Sequence, residues 1–431
     1  MRKALVIVAI LAVALSLSLS SLGLTAARKE RVVFWSFAAN NIVEWKEREA
    51  DIEKKFNIDL LIEHVAEQAF VQKLQAAMMD GSGPDIIEWR IEQNQVLSSD
   101  PKRCLVIPLD KYVNKSEVFK KVNKGRVAWC TYGGKVLGLP HDMHPVVLIY
   151  NDKLWKDVGV DLAKIETWDE FFEAAKKLCA EKKDGKPVHY ALPYDQGGLG
   201  ATMWMIWQQT GAQIMDKNGK PTFDNPAFKE FVQKWLGWID LGVMCAWDWG
   251  NFAAQLNNGT LASYTSPDWW ISQVNEASKN WPFKVRPLPY YKKGGPRTSS
   301  WGGSFMAIPK TSAKKADKLY PIMEYMQYDE SAIKARWETG GMLPPFAGVW
   351  DDPIFKKPDP RFGGQKLGEL LTTLAREMPS VNSGDIFWDA VFTDFNTQFP
   401  EMAAKKISVE AGLKAAQDAA MKRYNDLMKK K

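Results

Sequence analysis

The most unusual chemical feature of this chain of 431 residues is its number of indole rings. It contains 19 Trp beside 12 Tyr and 20 Phe. Core packing alone rarely requires so many indoles, because each buried N–H needs a hydrogen-bond partner. Phe37 and Trp89 each stand at the end of a predicted strand, where ligands lie in open α/β sheets. Trp35 and Trp235 lie in apolar-periodic elements instead, and we predict that they are core residues.

Two polar motifs could do chemistry of their own. The sequence His-Asp-Met-His from His141 to His144 offers metal ligands around Asp142. It stands beside a proline, outside any predicted helix and without a further ligand cluster, so we expect no metal. A hinge contact or a hydrogen bond to a ligand hydroxyl suits it better. Gly302 and Gly303 lack the rest of a phosphate-binding loop and indicate a close backbone approach at a hinge or cleft wall.

The elements that must position these residues alternate between strands and helices. Apolar runs predict strands over 31–37, 58–65, 85–89, 145–150, 283–289 and 305–308. Apolar spacing and capping signals predict helices over 41–56, 70–79, 167–178, 226–239, 312–325 and 408–428. Thr167 and Glu170 form a capping box, and Asn225 precedes a proline at the first helical position. The strand–helix order of the first ninety residues predicts an α/β fold with a parallel sheet.

The N-terminal 27 residues have the pattern of a secretory signal peptide. Arg2 and Lys3 precede an apolar run, and Ala26 and Ala27 offer small residues for cleavage. The run is short for a membrane anchor and is diluted by serines. Because no Cys lies at the cleavage region, we predict an exported, soluble periplasmic protein without a lipid anchor. The net charge of +6 is mild for this length and disfavours nucleic acid as a partner.

Four cysteines remain, and their spacings match no zinc pattern. They are Cys104, Cys130, Cys179 and Cys245. In an oxidising compartment they could form two disulfides, and Cys104–Cys130 is the pair that we favour. Free buried thiols that act as small hydrophobic side chains are the alternative.

Several segments resemble one known family, in order along nearly all of the mature chain. Segment 51–89 holds a helix, a strand and the closing sequence Pro-Asp-Ile-Ile-Glu-Trp. Later matches are Gly138-Leu-Pro, the sequence Leu-Ile-Tyr-Asn with the capping box, segment 259–269, and Pro-Leu-Pro with Trp301-Gly-Gly and Ile-Pro-Lys. The chain is thereby similar to the extracytoplasmic solute-binding proteins of carbohydrate ATP-binding-cassette importers, in particular to their family 1, the maltodextrin-binding group.

The resemblance implies a two-lobe periplasmic-binding-protein fold of the type II kind. Lobe 1 would comprise 28–142 and 301–328, and lobe 2 would comprise 145–298 and 331–431. Hinge crossings would lie near Asp142, Arg297 and Asp329. A ligand would bind in the cleft between the lobes, which close over it by hinge bending.

The resemblance also implies the function and the site. The protein would bind a sugar or sugar-like polyol and deliver it to membrane permease subunits, as a monomer, without catalysis or a cofactor. Indole rings would cover the C–H face of the sugar and polar groups would read its hydroxyls. The residues with which we expect ligand contact are Trp89, Trp269, Trp388, Trp301, Gly302, Asn40, Asn41, Glu92, Asp142, His144 and Asp268, and the wider polar set adds Glu63, His64, Asp195 and Asp248.

The charged contacts of the maltodextrin-binding group do not carry over. Ala39-Asn40, Glu92-Gln93, His144 and Phe392 stand in their places, so maltodextrin itself is not expected.

Two other function classes stay open at this point. A secreted glycoside hydrolase would need two carboxylates at a defined separation, which Asp142, Asp195 and Asp248 could supply. A chemosensory ligand-binding protein would use the same fold without transport. The orientation of Trp247, Trp249 and Trp270 is also open, and Trp270 could face the cleft in place of Trp269 because successive extended residues point to opposite sides.

Overall fold

The computed structural model describes residues 29–91, 96–379 and 388–429. The predicted signal peptide and Glu92 lie outside the described residues. Trp388 begins a helix, but its side chain also lies outside the description.

Fourteen strands and fifteen α-helices are described within these ranges. The strands are β1 (Glu30–Ser36), β2 (Ile58–His64), β3 (Ile86–Arg90), β4 (Thr131–Tyr132), β5 (Lys135–Val136), β6 (Leu139–Pro140), β7 (Val146–Asn151), β8 (Lys182–Lys183), β9 (Lys186–Pro187), β10 (Leu192–Tyr194), β11 (Met244–Ala246), β12 (Ser263–Pro267), β13 (Phe283–Pro287) and β14 (Ser304–Ala307). The helices are α1 (Ala39–Glu47), α2 (Glu49–Phe56), α3 (Glu67–Asp80), α4 (Asp110–Val113), α5 (Lys124–Trp129), α6 (Asp152–Asp157), α7 (Trp168–Leu178), α8 (Ala201–Trp207), α9 (Pro226–Asp240), α10 (Phe252–Asn257), α11 (Ala316–Tyr328), α12 (Glu330–Ala335), α13 (Leu367–Ala375), α14 (Trp388–Ala403) and α15 (Val409–Met428).

The first lobe is built on a five-stranded sheet with the order β2-β1-β3-β14-β6. β1 pairs in parallel with β2 and β3, as the strand–helix alternation predicts. β14 runs antiparallel to β3 and β6, because the chain returns to this sheet from the second lobe. The carboxyl ends of β1 and β3 therefore meet at one edge, beside the start of β14.

The second lobe has an antiparallel sheet with the order β12-β7-β13. Every residue of the central strand β7 is buried, which explains its uninterrupted apolar sequence. The parallel pair β10 and β11 extends this lobe, and a bridge from Tyr190 to Leu261 joins it to the segment before β12.

Most predicted helices begin where their capping signals stand. The hydroxyl of Thr167 accepts from the backbone N–H of Glu170 in a complete capping box, and the side chain of Asn225 accepts from the backbone N–H of Phe228 at the start of α9. The helix predicted over 41–56 is in fact two helices, because the backbone of Arg48 leaves helical geometry at φ −105° and ψ 2°. The Arg48 side chain is buried there and donates to the carbonyl oxygen of Met326 at 3.3 Å.

Three apolar clusters occur among the described residues, and one of them contains residues of both lobes. A cluster that includes Phe34, Trp45 and Met323 lies in the first lobe, whereas Trp155 and Trp235 belong to a cluster that also includes Trp89. The apolar residues of 333–355 pack in the first-lobe cluster. This segment lies within the range 331–431 that we predicted for lobe 2, and its apolar side chains pack with those of the first-lobe sheet.

The cysteines are free thiols in this structure, and the favoured Cys104–Cys130 disulfide is absent. Both residues are buried, and the thiol of Cys104 lies 3.2 Å from the carbonyl oxygen of Val106. The alternative of buried thiols that pack as small apolar side chains therefore describes the structure. Among the described helices, none combines the length and apolar character that crossing a bilayer requires.

Candidate functional site

A cavity of about 400 Å³ lies between the lobes, where the chain crosses from β6 to β7 and from β13 to β14. Residues of the first lobe, the crossings and the second lobe all line it. The lining residues are Phe37, Ala38, Ala39, Asn40, Asn41, Glu67, Arg90, Asp142, His144, Trp249, Trp269, Trp301, Gly302, Gly303, Ser304 and Met342. The predicted residues that it brings together are thus Asn40, Asn41, Asp142, His144, Trp269, Trp301 and Gly302.

Three indole rings form one wall of this cleft, which we call the aromatic wall: Trp249, Trp269 and Trp301. The ring centroids of Trp269 and Trp301 are 5.4 Å apart, and those of Trp249 and Trp301 are 5.8 Å apart. The indole N–H of Trp269 donates to the carbonyl oxygen of Trp301 at 3.0 Å, which fixes its ring. Trp249 is 57% exposed at the rim. The wall can therefore offer flat apolar surface to a ligand.

A tight turn presents Trp249. The carboxylate of Asp248 accepts the backbone N–H of Gly250 at 3.1 Å and the side-chain amide of Asn251 at 2.7 Å. Asp248 was predicted to read ligand hydroxyls, but its hydrogen bonds hold this turn and it does not line the cleft.

Trp270 faces the core, as expected if Trp269 faces the cleft. It is 5% exposed and packs against Trp247 at 4.7 Å and Phe252 at 4.2 Å between ring centroids. Trp269 and Trp270 both lie in a 3₁₀ segment, Asp268–Val274, that follows β12 directly. Trp247 is partly buried behind the wall and does not line the cleft.

The opposite side of the cleft, which we call the polar floor, comes from the first lobe. Asn40 and Asn41 open α1 just beyond the end of β1, and Ser304 begins β14. The amide N–H of Asn41 and the hydroxyl of Ser304 each donate to the carboxylate of Glu88 at 2.5 Å. Burial raises the pKa of Glu88 to about 7, although its hydrogen bonds favour the ionised form.

A buried chain of charges runs under the crossings between the two sides. The guanidinium of Arg126 lies 3.2 Å from the carboxylate of Asp142, whose other oxygen lies 2.9 Å from Nε2 of His144. Nδ1 of His144 in turn contacts the carboxylate of Asp268. The second oxygen of Asp268 accepts the backbone N–H of Leu343 at 2.7 Å. Asp268 is 2% exposed and lies behind the lining residues, next to Trp269.

Within this buried chain of charges, His144 is the protonated residue and carries a positive charge. Burial alone disfavours its charged form, but the two carboxylates outweigh burial and raise its pKa to about 9. Burial also disfavours the charged form of Asp142 and by itself would raise the pKa of this carboxyl. The cation of His144 outweighs burial, so the pKa of Asp142 falls below its usual range. Both nitrogens of His144 therefore act as donors, and the backbone of this residue has a positive φ of 53°.

This arrangement predicts a loss of stability on the alkaline side. The folded-state pKa of His144 lies above its ordinary value of 6.5, so its contribution is complete below pH 6.5 and disappears as pH rises toward about 9. We expect the unfolding free energy to fall over this window by an amount on the order of 3 kcal/mol. Asn tolerates positive φ, so the backbone accepts His144→Asn, and the folded variant should lack this slope although it is less stable than the wild type. Denaturant titrations at pH 6.5 and at about pH 9 measure this change in the unfolding free energy.

The exposed His64 provides the control, and His64→Asn should keep the wild-type slope. Equal slopes in the wild type and in His144→Asn would contradict the assignment of the proton to His144.

Glycine is required at positions 302 and 303 because neighbouring side chains approach the backbone closely, as the sequence indicated. Gly302 and Gly303 have φ values of 86° and 129°. A Cβ at Gly303 would lie 2.3 Å from a guanidinium nitrogen of Arg126, and one at Gly302 would lie 2.8 Å from the indole nitrogen of Trp269.

Trp89 is placed in the core and not on the cleft surface, which corrects our expectation. It is 1% exposed and packs on Phe70 with 4.4 Å between ring centroids. Its face of β3 is the one covered by α3, and Phe37, 5.7 Å from Trp89, lines the cleft in its place. Trp235 is buried as predicted, whereas Trp35 is only partly buried and donates to Glu63 at 2.6 Å.

The remaining predicted residues do not line this cavity. Glu63 and the exposed His64 end β2, and His64 contacts the carbonyl oxygen of Phe37 at 3.1 Å. Asp195 accepts the backbone N–H of Ala201 at 3.0 Å. The positions of Glu92 and of the Trp388 side chain lie outside the described residues.

Sequence reasoning missed Glu67, Arg90, Glu88, Ser304 and Met342. Arg90 and Glu67 form an ion pair on the cleft lining. A signal for Glu88 did exist, because a charged residue inside an otherwise apolar strand is costly to bury without partners. No cluster of metal-ligating side chains occurs within the described ranges.

Comparisons with known proteins match most of this chain. The family model described as bacterial extracellular solute-binding protein matches residues 48–362. An arabinooligosaccharide-binding protein of Halalkalibacterium halodurans is 26% identical over 414 residues, which cover 89% of this chain and 89% of that protein.

Two solved structures show the same fold. A cyclic α-maltosyl-1,6-maltose binding protein from Arthrobacter globiformis has a TM-score of 0.75 at 19% identity, and the match covers 91% of this chain and 98% of that one. An ABC transporter associated binding protein from B. animalis subsp. lactis, in complex with β-1,6-galactobiose, has a TM-score of 0.73 at 22% identity, with 93% and 98% covered.

Proposed function

As this chain belongs to the bacterial extracellular solute-binding proteins, we propose that it binds a sugar or sugar-like polyol between its lobes and delivers it to a membrane ATP-binding-cassette permease. The observation that carries the proposal is the pairing of the aromatic wall with the polar floor across one cleft. A pyranose or furanose ring has an apolar C–H face and a rim of hydroxyls, and the two sides of the cleft suit these two surfaces.

The aromatic wall contributes most of the binding affinity, and the polar floor determines which ligand is accepted by hydrogen bonds to its hydroxyls. Burial of about 100 Å² of apolar surface on one ring, at about 25 cal/mol/Å², contributes about 2.5 kcal/mol. A site built to hydrogen-bond a hydroxyl rejects analogues that lack it, because its buried polar groups then stay unpaired. The sugar ligands named for the relatives support this class of ligand.

The cellular setting of the proposal follows from the N-terminal pattern and the family. We propose export to the periplasm, cleavage near Ala27 and action as a soluble monomer without nucleic acid. We also propose the predicted division into lobes, with segment 333–355 assigned to lobe 1 because its apolar residues pack there.

The two alternative functions are less well supported. A hydrolase needs one free acid and one free carboxylate facing the same bond. Of the three candidate carboxylates only Asp142 lines the cleft, and Arg126 and His144 already engage it. We therefore propose binding without catalysis. No feature of the cleft favours a chemosensory role over import.

A thermal-shift panel tests the proposal. Arabinotriose, lactose, β-1,6-galactobiose and myo-inositol represent oligosaccharides and a cyclic polyol. A ligand present at 1,000 times its Kd should raise the unfolding free energy by about 4 kcal/mol, and the melting temperature with it. New reducing ends after incubation with the oligosaccharides would instead indicate hydrolysis, and no shift with any neutral sugar or polyol would contradict the proposed function.

A further inference from the structure

Glu88 is a completely buried carboxyl group under the polar floor, at 0% exposure. It lies in β3 directly opposite Ser36 of β1, and three side chains converge on it. Asn41 Nδ2 and Ser304 Oγ donate to Oε1 at 2.5 Å each, and the hydroxyl of Ser36 donates to Oε2. These three donors are all neutral, so Glu88 is held by hydrogen bonds and not by an ion pair.

Two of the three donors also line the cleft, namely Asn41 and Ser304. One amide hydrogen of Asn41 and the hydroxyl hydrogen of Ser304 are directed to Glu88. The acceptors left for a ligand are the amide oxygen of Asn41 and the lone pairs of the Ser304 hydroxyl. The amide oxygen of Asn41 is buried and has no hydrogen-bond partner among the described residues. A buried polar atom without a partner is costly, and a donor supplied by a ligand would satisfy it.

The charges around the polar floor also favour a neutral ligand group that donates hydrogen bonds. The nearest lining charges are matched, because Asp142 is paired with Arg126 and His144, and Arg90 is paired with Glu67. The Glu88 carboxylate has no such partner in its hydrogen-bond set. An anionic group placed on this floor would meet these acceptors and, above the Glu88 pKa of about 7, a buried negative charge. A hydroxyl would instead donate to the acceptors.

We propose that Glu88 is a positioning residue that sets ligand specificity: it orients the Asn41 amide and the Ser304 hydroxyl so that the floor presents acceptors, and thereby selects neutral, hydroxyl-bearing ligands over phosphorylated or carboxylated ones. This inference rests on the proposed function, because it concerns the same cleft.

The first test needs no ligand. The Asn41 side-chain amide resonance is identified as the one missing from Asn41→Ala. In Glu88→Gln the isosteric amide can no longer accept from all its donors, so this resonance should shift. Glu44 is the matched control, a first-lobe glutamate of 1% exposure whose partner is Arg336 and which does not line the cleft. Glu44→Gln should leave the Asn41 resonance in place.

An Asn41 resonance unchanged by Glu88→Gln, or moved equally by Glu44→Gln, would overturn the proposal. If Glu88→Gln does not fold, Ser36→Ala replaces it, because Ser36 contacts Glu88 but does not line the cleft. The same shift is expected from Ser36→Ala, and its absence contradicts the proposal.

The second test is a double-mutant cycle by calorimetry, with the tightest binder among arabinotriose, lactose, β-1,6-galactobiose and myo-inositol as the probe. Glu88→Gln should weaken binding about tenfold in the wild-type background, but less than about threefold in the Asn41→Ala/Ser304→Ala background, since it acts through these two side chains. Equal losses in both backgrounds would contradict the proposal, because Glu88 would then act only by general support of the lobe.

Digalacturonate is the anionic probe. It should bind the wild type at least about tenfold more weakly than the neutral probe, and Glu88→Gln should narrow that gap. A gap unchanged by Glu88→Gln would contradict selection by Glu88. If no neutral sugar or polyol binds, the proposed function fails, while the Asn41 resonance still decides whether Glu88 orients the amide.

Discussion

Replacement of Trp269 by Ala is expected to weaken sugar binding by about 30-fold or more and to leave the protein folded. The ring lines the cleft and would lose about 2–3 kcal/mol of contact with the sugar face. Replacement of Trp270 is expected to do the opposite. Its ring is 5% exposed among Trp247, Phe252 and Tyr264, so Trp270→Ala should lower the unfolding free energy by about 3–5 kcal/mol.

Calorimetric titration and thermal melting of the two variants separate these effects, and each variant is the other's control. The folded fraction of Trp270→Ala should keep nearly the wild-type affinity. If Trp269→Ala melts early and binds normally, the roles of the two rings are exchanged and the assignment of the aromatic wall is wrong.

A second large effect is expected at Arg126, which is 2% exposed under the crossings. Its guanidinium donates to the backbone oxygen of Asp142 at 2.9 Å, to the hydroxyl of Ser300 at 3.1 Å and to the backbone oxygen of Gly302 at 3.0 Å, in addition to its ion pair with the Asp142 side chain. Arg126→Met should therefore destabilise the protein by about 3–5 kcal/mol, because it leaves buried acceptors unpaired.

Denaturant unfolding of Arg126→Met measures this loss. The control is Arg31→Met, which removes a pair with Asp59 whose side chains are 55% and 42% exposed. Screening by solvent limits that loss to less than about 1 kcal/mol. A loss in Arg126→Met as small as in Arg31→Met would contradict the structural role of the buried charges.

The regular elements were predictable because local patterns determine them. The capping box at Thr167 and the apolar runs of β1, β7 and β13 gave their elements to within a residue or two. The break at Arg48 was not predictable, since it coincides with burial of that side chain against a helix far along the chain.

The lining of the cleft was predictable for residues that stand at strand ends or crossings, such as Asn41, Asp142, His144 and Trp269. Their contact with a ligand stays a prediction. The prediction of ligand contact failed at Trp89, although the alternation of side chains along a strand already indicated that this ring is buried. Trp89 shares the face of Ile87, which packs in the same cluster, while Glu88 points to the other face. The contacts of Arg126 and Asp268 join segments distant in sequence, and only the folded chain brings them together.

The most direct test of the account is the structure of the protein with its tightest-binding panel sugar or polyol. The account predicts that the ligand lies in the cleft with its C–H face on Trp269 and with hydroxyls donating to Asn41 and Ser304. A ligand bound outside this cleft, or with its hydroxyls turned to the aromatic wall, would contradict it.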